Sequence, residues 1–467
     1  MPGFPEFARV GQGRRWLAAS CGALVLAAAL IASAGAAGAT SQPAFWVSPA
    51  GTPGGANTSC GTAAYSSVQT AVTAAEAYES LHPGWVPTVD VCPGTYSEQV
   101  TILGSVVITR APVPAGLGPV TIELPAAVGA NQTLGLSTTN CQAQDSVNSI
   151  SAPQSVIEIC SAGPGGTNTS GVSVTVRDVT VEGNWPYNVC YDSLYGILVG
   201  GGASLSLTGS TVEQIGANPL TIAGGCQGGV GIQVGLFPTG QIGQAYLSDD
   251  TIETYQKNGI TVDGAGSTAD IDRVVVAGAG ATPYIAQNGI QISNGATSSV
   301  TGSTVTGNNY TGTGNTDATG ILVFGGCGSP LVEGARIVGN RLSENDIGIY
   351  LGDYNAACTQ ASATASDNTA CSNVIENSHG YPGGTASADA NVSGSGSPIG
   401  YQAGVTDVGN HDVICENAIS GAGYAPLGSP QNTQPPAFVR PIDVVSGPAI
   451  APQVFGNTYD WFPYNPF

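Results

Sequence analysis

One repeat narrows the folds open to this chain more than any other feature. A glycine followed by an alternating aliphatic pair recurs as Gly196-Ile197-Leu198-Val199, Gly231-Ile232-Gln233-Val234, Gly259-Ile260-Thr261-Val262, Gly289-Ile290-Gln291-Ile292, Gly320-Ile321-Leu322-Val323 and Gly348-Ile349-Tyr350-Leu351. The glycines are 35, 28, 30, 31 and 28 residues apart. Most intervals hold a second alternating segment: Ser210-Thr211-Val212-Glu213, Asp250-Thr251-Ile252-Glu253, Ser303-Thr304-Val305-Thr306 or Ala335-Arg336-Ile337-Val338. A period near 30 residues, with short strands and turns rich in Gly, Asn, Asp and Ser, is what one coil of a solenoid requires. Successive side chains of a strand point to opposite faces, so Ile197, Ile232, Ile260, Ile290, Ile321 and Ile349 are expected to stack inside, about 4.8 Å apart. The pattern lacks the long amphipathic helices of βαβ units, and propeller blades are four-stranded. A β-sandwich is the remaining competitor. The expected fold is all-β, a single-stranded right-handed parallel β-helix.

A solenoid must close its ends, because an open end exposes the core and unpaired strand edges. After Ser66 or Ser67 as N-cap, Val68, Ala71, Val72 and Ala75 fall at i, i+3, i+4 and i+7, one apolar helical stripe. This predicts an N-terminal capping helix. The tail from Ala425 to Phe467 is rich in proline and ends in Trp461, Phe462, Tyr464 and Phe467. Proline cannot join an interior ladder, so residues 425–467 are expected to pack on the helix. The cap and first coil are assigned to residues 40–110 and the β-helix proper to residues 111–424.

The helix YSSVQTAVTAAEA, the following VDVCPGTYSEQVTI, and Val174–Gly183 (VTVRDVTVEG) resemble pectin-lyase-like parallel β-helix proteins. Arg336–Leu351 resembles the generic right-handed β-helix repeat. The resemblance implies the fold; it is weak on chemistry, since that fold hosts lyases, hydrolases, esterases, epimerases and noncatalytic proteins. Gly94–Glu98 matches the GTYSE segment of pectin methylesterases, but their later catalytic motifs are absent. Fragments of polygalacturonase motifs occur in the wrong order and spacing.

Residues 1–39 read as a signal peptide, with Arg9, Arg14 and Arg15, an apolar run from Trp16 to Ala32, and Ala37-Gly38-Ala39 as cleavage site. The expected location is secreted or at the cell envelope, without stable membrane insertion. Removing the leader leaves ten of the 11 cysteines. An even number in an exported protein favours disulfides, and local closure favours Cys60–Cys92, Cys141–Cys160, Cys190–Cys226 and Cys358–Cys371, leaving Cys327 and Cys415. The mature chain keeps seven basic against thirty acidic residues, a balance of −23. Nucleic acid is excluded as a partner on this ground.

Charged residues are 9% of the chain, yet eight fall between Asp249 and Arg273. They are Asp249, Asp250, Glu253, Lys257, Asp263, Asp270, Asp272 and Arg273, and Lys257 is the only lysine. A polysaccharide lyase needs a base beside a uronate carboxyl and positive charge, often calcium, to stabilise the carbanion-like state. Lys257, Asp249 and Asp250 are therefore the catalytic candidates. The repeat places Glu213 and Glu253 at equivalent positions one coil apart, where like charges favour a bound cation or a raised pKa. Glu213, Glu253, Asp270 and Asp272 are the calcium candidates. The competing reading makes these solvated turn residues and has Lys257 simply pair with a neighbouring acid. The outward column Leu198, Gln233, Thr261, Gln291, Leu322 and Tyr350, with Phe324 and Tyr310 as further stacking platforms, forms a shallow sugar-binding face or lies beneath the loops; the pattern leaves both open. The expected function is binding of extracellular or cell-envelope polysaccharide by a monomer. The alternative is a polysaccharide lyase or glycoside hydrolase with calcium-assisted chemistry.

Overall fold

The computed structural model describes residues 43–114, 116–125, 154–161, 171–183, 194–216, 228–311, 318–378, 402–424, 439–444 and 452–459. The expected leader, Cys141, Cys190, Cys226 and the aromatic end of the tail lie outside these residues.

Among the described residues the strands assemble into three parallel sheets of 12, 11 and 10 strands, here called A, B and C. The chain visits A, then B, then C, and begins the next coil on A, beside the strand it left one coil earlier. This is a right-handed parallel β-helix. The six repeat isoleucines are in direct register, Ile197 on Ile232, then Ile260, Ile290, Ile321 and Ile349. Each is fully buried. Val199, Val234, Val262, Ile292, Val323 and Leu351 form a second inward row beside them. One continuous apolar core runs from Phe45 to Ile442.

The repeat glycines are explained by the same stacking. A Cβ on Gly259 would lie 2.6 Å from the carbonyl oxygen of Gly289 and 2.5 Å from Val276 Cγ1, and Gly231 meets Gly259 in the same way at 2.5 Å. Where the chain turns onto sheet C, coils approach too closely for any side chain.

The turns from sheet A to sheet B carry an internal ladder. Asn340, Asn373, Asn417 and Asn457 stack there, each Oδ1 accepting the backbone N–H of the residue one coil before it. Each Nδ2 donates to a carbonyl of that earlier coil, as Asn340 does to Val300 at 2.9 Å. Buried turn backbone is thereby satisfied where no strand pairing reaches it.

The expected cap is a helix over Val68–Leu81 with Val68, Ala71, Val72 and Ala75 buried. Ser67 is its N-cap and accepts from Thr70 N. Glu98, from the first coil, completes the cap: its carboxylate accepts from Ser67 Oγ, Val68 N and Gln69 N at 2.6, 2.6 and 3.0 Å. Residues 439–444 and 452–459 extend all three sheets, since Val439–Val444, Gln453–Phe455 and Thr458–Tyr459 pair with the preceding strands.

Cys60 is bonded to Cys92 as expected. The expected Cys358–Cys371 bridge is not formed; the bonds are Cys327–Cys358 and Cys371–Cys415. Closeness in sequence misleads in a solenoid because neighbours are set by coil register: Cys371 and Cys415 are direct partners on adjacent strands, with Cα atoms 4.5 Å apart. Cys160 is also disulfide-bonded. Among the described residues no helix is long and apolar enough to cross a membrane.

Candidate functional site

Connection lengths single out one wall of the solenoid. From Asp178 onward the chain crosses from sheet A to sheet B through residue pairs such as Gly209-Ser210, Asp249-Asp250 and Gly302-Ser303. Connections into and out of sheet C are longer, as from Tyr310 to Thr319 and from Asp353 to Thr369. Sheet C thus has loops along both edges, and loops on a rigid scaffold are where binding groups concentrate.

On its outer face the middle coils carry an uncharged polar row. Asn258, Asn288 and Thr319 are stacked in register. Asn288 Nδ2 donates to Asn258 Oδ1 at 3.0 Å and Thr319 Oγ1 to Asn288 Oδ1 at 2.7 Å. Asn258 Nδ2 donates to Thr261 Oγ1 and Gln291 Oε1 at 2.9 and 3.0 Å, and Gln291 Nε2 to Ser293 Oγ at 3.1 Å. Asn258, Thr261, Asn288 and Thr319 are buried, whereas Gln291 is half-exposed and presents the network to solvent. Asp263 closes one edge: its oxygens accept from Ser293 Oγ, Asn294 Nδ2 and Phe237 N at 2.9, 2.7 and 2.9 Å.

The expected outward column is present, with Leu198, Gln233, Thr261, Gln291, Leu322 and Tyr350 in register. Its ends are covered. Leu198 packs with Tyr195, Val230 and Leu236. Tyr350 packs with Ile347, Tyr354, Ala361 and Val408, and Leu322 and Phe324 lean on that cluster. Tyr310 is buried against Ala286 and Ala318. Of the column, Gln291 and Leu322 are half-exposed, whereas Gln233 and Thr261 are buried.

Lys257 stands at the other edge, immediately before Asn258. Its Nζ donates to the Ala286 carbonyl at 2.6 Å. Among the described residues it has no ion-pair partner. Burial lowers its pKa to about 8, because the charged form loses hydration.

The other candidates lie elsewhere. Asp249 is exposed and held by Arg273, whose Nε and Nη2 donate to its two oxygens at 2.8 Å. Those bonds lower the Asp249 pKa. Asp272 pairs with the same guanidinium, and Asp270 projects from the same strand of sheet A, beside Tyr246 in register. Asp250 points inward, 1% exposed. Glu213 and Glu253 are direct neighbours on sheet B, and burial, then the charges of Glu182 and Glu253, raise the Glu213 pKa. The four calcium candidates therefore divide between two sheets. Among the described residues no three acidic, histidine or cysteine side chains converge as metal ligands.

Two parts of this arrangement were missed from sequence. Asn258 and Asn288 each precede a repeat glycine, so the signal was Asn-Gly-Ile rather than Gly-Ile. The glutamate row is also longer than a pair: Glu123, Glu182, Glu213 and Glu253 stack over four coils, signalled by Thr-aliphatic-Glu at Thr121, Thr180, Thr211 and Thr251.

No protein-family model matches the chain, and no curated protein matches it in sequence. Solved structures similar to it include XylC in complex with xylose, at 9% identity and TM-score 0.47, covering 81% of this chain and 69% of that one. The Dettilon tailspike protein is similar at 12% identity and TM-score 0.42, covering 86% and 69%. The Azotobacter vinelandii mannuronan C-5 epimerase AlgE4 A-module is similar at 13% identity and TM-score 0.39, covering 84% and 96%.

Proposed function

We propose that this is a secreted or envelope β-helix that recognises an extended, largely uncharged polysaccharide along the outer wall of sheet C. The reading is carried by the polar row of Asn258, Asn288 and Thr319 with Thr261 and Gln291. Amides and hydroxyls donate and accept at once, as sugar hydroxyls do, and strand stacking repeats them about every 4.8 Å along the wall. The apolar clusters around Leu198 and Tyr350 frame the row at both ends, a combination suited to sugar rings with polar edges and apolar faces. The strongly acidic chain favours a neutral glycan over a polyanionic one.

Cleavage of the bound polysaccharide is a second reading, favoured by Lys257. A lysine with a pKa near 8 is partly neutral at physiological pH, the condition for a general base. In a β-elimination its lone pair would take the proton beside a uronate carboxyl, the C–H electrons would form the new double bond, and the glycosidic C–O bond would break with its electrons leaving on oxygen, which takes up a proton from solvent. Calcium in this reading would rest on Glu213 and Glu253, whose oxygens are the donor type that ion takes.

The test uses purified mature protein and a panel of neutral and acidic polysaccharides, with and without calcium. Retention, unsaturated-uronate absorbance and reducing ends are followed for wild type, Gln291→Ala and Lys257→Ala. Retention of a neutral glycan that Gln291→Ala weakens supports recognition at this wall. Product that disappears in Lys257→Ala establishes cleavage. Wild-type retention in Gln291→Ala removes the site from this wall.

A further inference from the structure

Two carboxyl groups converge inside the solenoid near its last coils, with further acids close by. Asp407 ends strand Gln402–Asp407 in register with Leu351 and Val444, so it takes an inward position that aliphatic residues fill in earlier coils. Asp412 lies in the turn just before strand Val413–Cys415. Both are 0% exposed. They converge on Gly409: Asp407 Oδ1 accepts from Gly409 N at 2.8 Å, and a Cβ built on Gly409 would lie 1.9 Å from Asp412 Oδ2. Asp412 Oδ1 accepts from Asn368 N and Ser366 Oγ at 2.7 and 2.8 Å. The Oδ2 atoms of both aspartates are buried and meet no donor.

The surrounding elements add negative charge. Asp353, from strand Ile347–Asp353, accepts from Asn368 Nδ2 at 2.9 Å, so Asn368 ties it to Asp412. Asp443, from strand Val439–Val444, raises the Asp407 pKa, and Glu333, before strand Arg336–Val338, raises that of Asp353. Among the described residues no basic side chain is ion-paired with Asp353, Asp407 or Asp412.

Two buried carboxylates that converge on one glycine, each with an oxygen that nothing donates to, repel unless a proton lies between them. We infer that Asp407 and Asp412 hold one proton between them in the folded protein, and that losing it loosens the last coils and makes the molecule alkaline-labile. Burial, then the Asp407 charge, pushes Asp412 up to about 8. A carboxyl whose folded pKa is raised is at no disadvantage below its unfolded pKa of about 4, and loses stability as pH rises from there through about 8.

The experiment measures Tm from acid to alkaline pH, with Asp250→Asn as background so that this second buried acid does not contribute. The expected result is a Tm that falls by at least about 5 °C between pH 5 and pH 9. Adding Asp412→Asn, which supplies a permanent N–H donor, should remove more than half of that fall. Should the variant not fold, the infrared carbonyl band of a protonated carboxyl in the background protein, present at pH 7 and lost above pH 8, carries the same prediction. A flat Tm profile, or absence of that band at pH 7, overturns the inference. So does a Tm that drops with EDTA and recovers with calcium, which would put a cation between the aspartates.

Discussion

The backbone N–H of Ser210 donates to Oδ1 of Asp250 at 2.9 Å, the bond that Ser303 makes to Asn340 in a later coil. Asp250 therefore occupies a rung of the turn ladder that asparagine fills at residues 340, 373, 417 and 457. What the carboxylate lacks is the second half of the asparagine bond. Its Oδ2 is buried without a donor, whereas Asn340 Nδ2 reaches the carbonyl of Val300. Asp250→Asn should supply the missing donor toward Leu207, which relates to Leu247 as Val300 does to Ile337. The expected gain at neutral to alkaline pH is about 1 kcal/mol, read as a higher denaturation midpoint. Burial raises the Asp250 pKa to about 7, so wild-type stability should fall between about pH 4 and pH 7. That part of the pH dependence should vanish in the variant; an unchanged profile would show that this rung is not desolvated.

The same residue shows where sequence reading reaches and where it stops. The stacked isoleucines and the capping helix were legible because both depend on short-range periodicity. Asp250 looked chemical because charges crowd around it in sequence, but whether a side chain enters or leaves the solenoid turns on one residue of register. Asp249 points out to Arg273 while Asp250 points in. The Cys371–Cys415 bond was illegible for a related reason: contact between coils depends on the lengths of the loops between them, and the loop sequences carry no periodic signal.

Glu98 should prove the most important single polar side chain of the N-terminal end. Its carboxylate receives Ser67 Oγ, Val68 N and Gln69 N, the first free donors of a helix whose four buried residues close the solenoid. Glu98→Ala should cost about 2 kcal/mol, since it leaves these donors without a charged acceptor. Helical circular dichroism should weaken at lower denaturant than the β signal. Coincident loss of both at the wild-type midpoint would mean that solvent replaces Glu98 without cost.

The Cys371–Cys415 bridge links adjacent coils across 44 residues of chain. A closed loop of that length restricts the unfolded state by about 4 kcal/mol in the chain-entropy description. Replacing both cysteines with alanine should therefore lower the urea midpoint markedly while the other bonds persist. Replacing Cys358 and Cys371 together should instead leave Cys327 and Cys415 as free thiols, two per molecule by thiol titration. A count of zero would mean that Cys327 and Cys415 have paired elsewhere.

Ile290 tests the coil register itself. It lies between Ile260 and Ile321 in the fully buried row, next to Gln291 on the opposite face. Ile290→Asp places a charge where no partner or water is at hand, and should cost more than about 4 kcal/mol. Gln291→Asp, one residue on, puts the same charge on the outer wall and should cost less than about 1 kcal/mol. The contrast between neighbours is the informative quantity, since a general intolerance of acid in this strand would lower both. A lower denaturation midpoint for Gln291→Asp than for Ile290→Asp would mean that the strand faces the other way, and with it the polar row assigned to glycan recognition.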